Sequence, residues 1–379
     1  MSRPSSADRA NLIDLHLRLM SSQAYMQRCI QLAKLGAGHV APNPMVGAVL
    51  VHEGRIIGEG WHQQYGQAHA EVNCVDSVKE EDRHLISQST MYVTLEPCSH
   101  YGKTPPCADL IIKHNIPVVI IGSHDINKRV DGAGIKKLMM AGVDVIIGVL
   151  QDECIDLNKR FFTFHGENRP YVVLKWAQTA AGIMGSQSNG HIPDASERLL
   201  ISNQYTNRLV HRWRSEEASI LVGTNTALYD NPSLTTRLWD GPSPVRLIID
   251  MNLRLPDSLK VFDRKERTIV FNTIRHEEED NLLYYQVTED VNLVHQVLNA
   301  LYHLEIQSVL VEGGAFLLQS FIDEGLWDEI RRIETKNNSL LTNIANGLKA
   351  PALPNALKVD EQKLFADTIE IFKRPVENE

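Results

Sequence analysis

The chain has 379 residues, enough for two or three domains at roughly 150 residues each, and its 43% hydrophobic and 22% charged residues describe ordinary globular material, not a disordered or collagenous chain. A net charge of −9, with Lys and Arg scattered and no basic block, argues against nucleic acid as a partner. The longest apolar runs, such as Val118–Ile121, fall far short of the ~20 residues of a membrane helix, and Asp8, Arg9, Asp14, His16 and Arg18 interrupt any secretory core, so a cytoplasmic protein with no membrane partner is expected.

The first twenty or so residues are polar, Ser-rich and unpatterned, and read as an N-terminal extension over residues 1–21. Between Ala24 and Leu35 the apolar residues Ile30, Leu32, Ala33 and Leu35 recur at helical spacing, and Gly36 and Gly38 stop that helix. Strands are expected at Val46–Val51 and Ile56–Gly60 around a turn at Gly54. A helix over His69–Val78, a strand at Met91–Leu95 and a helix over Pro105–His114 follow. Strands at Val118–Gly122 and Val143–Val149 then flank a helix near Gly134–Met140, the alternation of an α/β layer fold. A helix near Asp152–Phe162 leads into the polar segment His165–Pro170, which marks a domain boundary and gives domains over residues 22–165 and 170–379.

The α/β pattern then restarts with a strand at Tyr171–Trp176, a helix over Asn203–Arg214 and a strand at Ile220–Val222. Strands Val245–Asp250 and Thr268–Phe271 come next, then helix Val291–His303, strand Ser308–Val311, helix Ala315–Glu324 and a last strand near Thr368–Phe372. The acidic run Glu277–Asp280 reads as a solvated loop.

Five cysteines are too few and too irregular for a disulfide framework, so their positions decide their use. Cys29, Cys74 and Cys154 carry no ligand spacing and read as core. His69-Ala70-Glu71, Glu96-Pro97-Cys98 and Cys107 form a different set. Thr104 is placed as an N-cap and Pro105 as the first helical residue, so Cys107 enters a helix N-terminus, where the positive dipole end favours a thiolate. Both sulfurs are expected to ionise readily. His69, Cys98 and Cys107 make three ligands for Zn2+, and three protein ligands with one open position is the pattern of a catalytic site. Glu71, two residues beyond His69, does not share its helical face and is free to carry protons.

In the second half no G-x-G-x-x-G follows a strand, so a Rossmann dinucleotide site is not indicated. Instead Gly313 and Gly314 stand between strand Ser308–Val311 and a helix, where backbone N–H groups can approach a phosphate. Gly223-Thr224-Asn225-Thr226 after strand Ile220–Val222 is a second candidate.

His69-Ala70-Glu71 with Pro97-Cys98 resembles the zinc deaminase signature, although nucleobase deaminases space their cysteines as Pro-Cys-x-x-Cys and eight residues intervene here. The segment Thr94–Cys107 and Pro42-Asn43-Pro44-Met45-Val46-Gly47 resemble the bifunctional deaminase–reductases of riboflavin biosynthesis, a likeness running from about Tyr25 onward. It implies a cytidine-deaminase-like α/β/α domain followed by a dihydrofolate-reductase-like α/β domain. The first would deaminate a phosphoribosylated diaminopyrimidine with Glu71 as proton carrier, and Asn43, His100 and Lys103 would touch that substrate. The second would use NADPH to reduce the ribose of the product to a ribityl chain. Ala177, Thr226, Asp230, Gly313 and Gly314 would line the NADPH site, and Arg214, Leu234, Arg237 and Glu312 would face the sugar phosphate, which guanidinium forks match in geometry. The family's usual homo-oligomeric state is implied as well.

Three departures accompany the likeness. Thr179-Ala180-Ala181-Gly182 stands where the family has Ser-Leu-Asp-Gly, so Ala181 replaces an Asp. Leu200, in Arg198–Ser202, replaces an aromatic residue expected beside the nicotinamide. Ile333-Glu334-Thr335 and a polar stretch replace Ala-Pro-Lys-Leu. On the sequence alone, an active reductase and a degenerate, non-reducing second domain are both open.

Overall fold

The computed structural model describes residues 6–101, 105–126, 132–185, 201–336 and 347–375. Two compact units divide at Glu167–Asn168. The first unit runs α1 (Ser6–Ala33), β1 (Gly47–His52), β2 (Arg55–Trp61), α2 (Ala70–Asp76), β3 (Thr90–Leu95), α3 (Cys107–Lys113), β4 (Val118–Ser123), α4 (Ala133–Met140), β5 (Asp144–Ile147), α5 (Gln151–Leu157) and α6 (Lys159–Glu167). Its five strands are ordered β2-β1-β3-β4-β5. β1 is antiparallel to β2 and β3, while β3, β4 and β5 run parallel.

Alternation along β1 decides the layering, because successive strand side chains point to opposite faces. Ala48 and Leu50 pack with Ala70, Cys74, Ile111 and Leu138 of α2, α3 and α4. Val49 and Val51 pack with Met26, Cys29, Ile30 and Cys154 of α1 and α5 on the other face. Cys29, Cys74 and Cys154 are thus core residues, as their lack of ligand spacing suggested.

Several expectations change here. Helix α1 begins at Ser6, where an unpatterned extension was expected; no Gly or Pro interrupts residues 6–33, so helix propensity carries it where amphipathic patterning does not. The helix expected at Asp152–Phe162 is two helices, α5 and α6, that meet at Asn158. Helix α3 starts at Cys107 with Pro106 in the N-cap position, not at Pro105; a proline N-cap leaves the following N–H groups free for other partners. Thr104 lies outside the described residues.

The second unit holds β6 (Tyr171–Thr179), β7 (Ile183–Gly185), α7 (Gln204–Glu216), β8 (Ser219–Val222), α8 (Thr224–Asp230), β9 (Val245–Ile249), β10 (Thr268–Asn272), β11 (Glu277–Glu279), β12 (Leu282–Gln286), α9 (Leu293–His303), β13 (Ser308–Val311), α10 (Ala315–Asp323), β14 (Glu329–Thr335), β15 (Leu348–Lys349), β16 (Leu357–Leu364) and β17 (Asp367–Lys373). Ten strands form one sheet, β11-β12-β10-β9-β8-β13-β6-β14-β17-β16. Its centre, from β12 to β14, is parallel, with antiparallel pairs at both margins. Val172, Leu174 and Trp176 of β6 face α9 and α10, and Tyr171 and Val173 face Val210 and Trp213 of α7.

The acidic run at Glu277 is exposed as expected, but it is an edge strand and not a loop: β11 pairs antiparallel with β12, and Arg275, Arg267 and Arg264 offset the charges of Glu277, Glu278 and Glu279. Strand β14 also escaped the sequence reading. Its Arg331 is buried, with Nε donating to Glu329 at 2.6 Å and Nη2 to Glu217 at 3.4 Å. Internal ion pairing thus lets a charged segment occupy a central strand.

Candidate active sites

In the first unit three side chains converge from the ends of three different elements. His69 is the N-cap of α2 in an extended conformation and makes no capping hydrogen bond, which leaves its ring free. Cys98 lies just past β3, and Cys107 opens α3. His69 Nδ1 stands 3.5 Å from Cys98 Sγ and 3.3 Å from Cys107 Sγ, and the three donor atoms lie within 4.8 Å of one another. Tetrahedral Zn–N and Zn–S bonds of about 2.0 and 2.3 Å place nitrogen and sulfur about 3.5 Å apart. The donor set therefore fits zinc in both chemistry and spacing.

The two sulfurs titrate as a coupled pair. Cys98 is lowered to about 4 by the Cys107 thiol, the His69 ring and the Cys107 backbone N–H, which donates to Cys98 Sγ at 3.3 Å. Cys107 is pushed up because its thiol donates to Cys98 and is itself buried. Without metal the pair shares a proton, and metal binding releases it.

Glu71 is 3% exposed in the first turn of α2. Burial and the neighbouring Cys98 sulfur push its carboxyl above the usual range, which suits a group that accepts and returns protons. Asn43 reaches the same region: its Nδ2 donates to His62 Nε2 at 3.2 Å. His62 Nδ1 donates to the Ala68 carbonyl at 3.0 Å, and the ring stands edge-on to His69 with centroids 5.4 Å apart. His62 was not picked out from the sequence; its position directly after β2 was the available signal. His100 is exposed two residues past Cys98, and Lys103 lies outside the described residues.

Glu96 is a second residue the sequence reading left without a role. Its buried carboxylate accepts from the N–H groups of Asp125, Gly132, Gly134 and Ile135 at 3.0 to 3.3 Å. It therefore fastens the start of α4 to the turn that carries Cys98. Gly134 permits this approach, since a Cβ there would overlap the Pro97 carbonyl oxygen.

The second unit carries a cleft of about 620 Å3 over the C-terminal ends of β6, β8 and β13, where ligands sit in open parallel sheets. Ala177, Thr226, Asp230, Gly313 and Gly314 all line it, as does Glu312. Gly314 has φ +73°, and a Cβ at Gly313 would press on Thr226, so both positions require glycine. Beyond them Ala315 and Phe316, the first residues of α10, line the same cleft.

Arg214 and Glu312 form a bidentate pair, Nε–Oε1 2.9 Å and Nη2–Oε2 2.7 Å, with the side chains 12% and 7% exposed. Lys175 stands 3.9 Å from the same carboxylate. Burial alone would raise the Glu312 carboxyl, but Arg214 and Lys175 outweigh it and lower it to about 2. Burial in turn pushes the Lys175 ammonium down. Arg237 lies close enough to Arg214 for the two cations to repel, and its backbone N–H donates to His211 Nδ1 at 3.1 Å. Leu234 departs from this grouping: its side chain is in the core with Ile220, Val222 and Ala227, so only its backbone, at φ +53°, is left to face a ligand. Lys175 was missed, and a lone cation inside an otherwise apolar strand was its signal. Of the departures, Ala181 sits on the exposed β6–β7 turn and does not line the cleft. Leu200 lies outside the described residues, and Ile333 is buried in β14.

Residues 170–333 match the family model of the RibD C-terminal domain, and residues 20–123 match that of the cytidine and deoxycytidylate deaminase zinc-binding region. The riboflavin biosynthesis protein RibD of Aquifex aeolicus (strain VF5) is 39% identical over 312 residues, 81% of this chain and 84% of that one. Its namesake in Escherichia coli (strain K12) is 32% identical over 331 residues, covering 82% and 86%. A solved diaminohydroxyphosphoribosylaminopyrimidine deaminase/5-amino-6-(5-phosphoribosylamino)uracil reductase from Thermotoga maritima superposes with a TM-score of 0.81 at 34% identity, covering 94% of this chain and 99% of that one.

Proposed function

The chain belongs to the bifunctional RibD deaminase–reductases of riboflavin biosynthesis, and from that premise we propose how its residues divide the two reactions. It joins a cytidine-deaminase-like α/β/α unit to a dihydrofolate-reductase-like α/β unit. Residues 22–165 carry out hydrolytic deamination of diaminohydroxyphosphoribosylaminopyrimidine, and residues 170–379 reduce the ribosyl chain of the resulting aminouracil to ribityl.

The observation that carries the first reaction is the cluster of one imidazole and two thiols with a buried carboxylate beside it. Zinc held by His69, Cys98 and Cys107 supplies a Lewis acid that makes water nucleophilic at neutral pH. Glu71 would take one proton from the attacking water and pass it to the ring nitrogen, then take the second from the hydroxyl of the adduct and give it to the departing amine, so that water and substrate become a ring carbonyl and ammonia. Asn43 uses its free Oδ1 on the pyrimidine, its Nδ2 being engaged by His62. His100 and Lys103 contact the ring and the phosphate.

In the second unit NADPH, when bound, would supply the hydride for the sugar carbon that carries the amine, as the ring C–O bond at that carbon opens and its oxygen takes a proton. Ala177, Thr226, Asp230, Gly313 and Gly314 hold the cofactor, and the long cleft between β6 and α10 supports that placement. Arg214, Arg237 and Glu312, with the backbone of Leu234, orient the sugar phosphate. Ala181 is tolerated because its turn is exposed and closed by Thr179, whose carbonyl and Oγ1 accept from Gly182 and Ile183. No helix among the described residues is long and apolar enough to cross a membrane, and a cytoplasmic setting suits both cofactors. Assembly as a homo-oligomer is supported by edge strand β16, where Leu357 and Val359 remain exposed. The test is to assay the half-reactions separately: ammonia release without NADPH, and NADPH oxidation on supplied deaminated product.

A further inference from the structure

The substrate-facing Asn43 sits on residues 41–46, a stretch with no strand or helix of its own. Its shape depends on outside partners. At its far end the Val46 carbonyl accepts from the His62 N–H at 2.9 Å. Between these two residues the backbone of Met45 is held by a side chain 113 residues away in sequence.

That side chain is Asn158, 4% exposed at the joint of α5 and α6. Its own backbone is fully engaged there, the N–H donating to Ile155 and the carbonyl accepting from Phe162, both at 3.0 Å. Its side-chain amide is turned to Met45: Oδ1 accepts from the Met45 N–H and Nδ2 donates to the Met45 carbonyl, each at 2.8 Å. The amide thus takes the place of a neighbouring strand's peptide group, beside a segment that has none. Only an Asn of this reach fits. Asp could accept from the N–H but would face the carbonyl with a second oxygen, and Ser could make one bond at most.

We propose that Asn158 is a positioning residue for deamination: by pairing with both backbone groups of Met45 it fixes the loop so that Asn43 meets the pyrimidine already oriented. The proposal rests on the reading that Asn43 touches substrate, and the experiment separates the two. Zinc-loaded full-length wild type, N43A, N158D, N158S and the double variant N43A/N158D are compared for ammonia release against pyrimidine phosphoriboside concentration. Zinc content and NADPH oxidation on deaminated product are measured in parallel.

Loss of one well-made hydrogen bond to substrate is expected to raise KM about tenfold in N43A. N158D and N158S follow with a comparable rise in KM, kcat within roughly threefold of wild type, full zinc content and unchanged NADPH oxidation. The double variant is no worse than N43A alone, because both changes remove the same contact. If N43A raises KM while both Asn158 variants do not, or if the double variant multiplies the two effects, the positioning role is overturned and the Asn43 reading stands. An unchanged KM in N43A overturns that reading and the proposal with it.

Discussion

Replacing Glu312 by Gln removes one negative charge from a buried site that holds two cations. Glu312 meets Arg214 through two short bonds and has Lys175 at 3.9 Å. Gln keeps the size and one acceptor, but it leaves both cations without a counter-charge. A carboxyl at about 2 instead of 4.5 contributes roughly 3 kcal/mol at neutral pH, at about 1.4 kcal/mol per pKa unit. That agrees in size with the about 3–5 kcal/mol measured when one partner of a buried pair is removed. E312Q is therefore expected to lower the stability of the second unit by about 3 kcal/mol at pH 7. Because the folded pKa is depressed, the stabilisation is complete above 4.5 and is lost as pH falls through about 2. The gap between wild type and variant should be equal at neutral and mildly acid pH and should close in strong acid. Urea unfolding followed by tryptophan fluorescence reads this unit, which holds Trp176, Trp213, Trp239 and Trp327, four of the five tryptophans. A variant within about 1 kcal/mol of wild type at pH 7 would refute the reasoning, as would a gap undiminished below the depressed pKa.

Three further outcomes are expected. E71Q should lose ammonia release by about 10²–10⁴-fold while it retains zinc and oxidises NADPH normally; metal analysis beside the two assays checks this, and zinc loss would give Glu71 a ligand role instead. G134A should force the Pro97 carbonyl, and with it Cys98, away from α4, costing about 1–3 kcal/mol and speeding zinc transfer to a chromophoric chelator; wild-type transfer kinetics would contradict that route. His211 is lowered to about 4 by burial and by Arg214 and Arg237, so its depressed folded pKa gives stability that is full above 6.5 and lost as pH falls through about 4. H211N, which still accepts from Arg237 but does not titrate, should flatten the melting temperature of the second unit across that window, and an unchanged slope would place the acid sensitivity elsewhere.

The candidate metal cluster was legible because its three side chains stand at chain positions that local patterning predicts: a helix cap, a strand end and a helix start. The coupling of the two sulfurs was not, since it depends on their meeting across the fold. The Asn43–His62 contact and the Asn158 clamp were hidden for the same reason, joining segments 19 and 113 residues apart. In the second unit the glycines before α10 were legible as candidates, and both line the cleft, whereas Lys175, a lone cation in an apolar strand, gained its meaning when β6 placed it against Glu312. Strand β14 was masked by its own charges, because a pattern rule reads Glu329-Ile330-Arg331-Arg332 as surface while Glu217 and Glu329 neutralise Arg331 inside. At Leu234 the core claims the side chain and leaves the backbone, at φ +53°, as the part that can face a ligand, a split that no pattern in the sequence marks.

The most direct test of two working sites in one chain is a coupled assay on zinc-loaded protein supplied with diaminohydroxyphosphoribosylaminopyrimidine, following ammonia and NADPH absorbance separately. Ammonia release without NADPH, and matched NADPH oxidation once it is added, is the predicted result. Ammonia with no NADPH loss would contradict the reductase half, and neither signal would contradict the substrate.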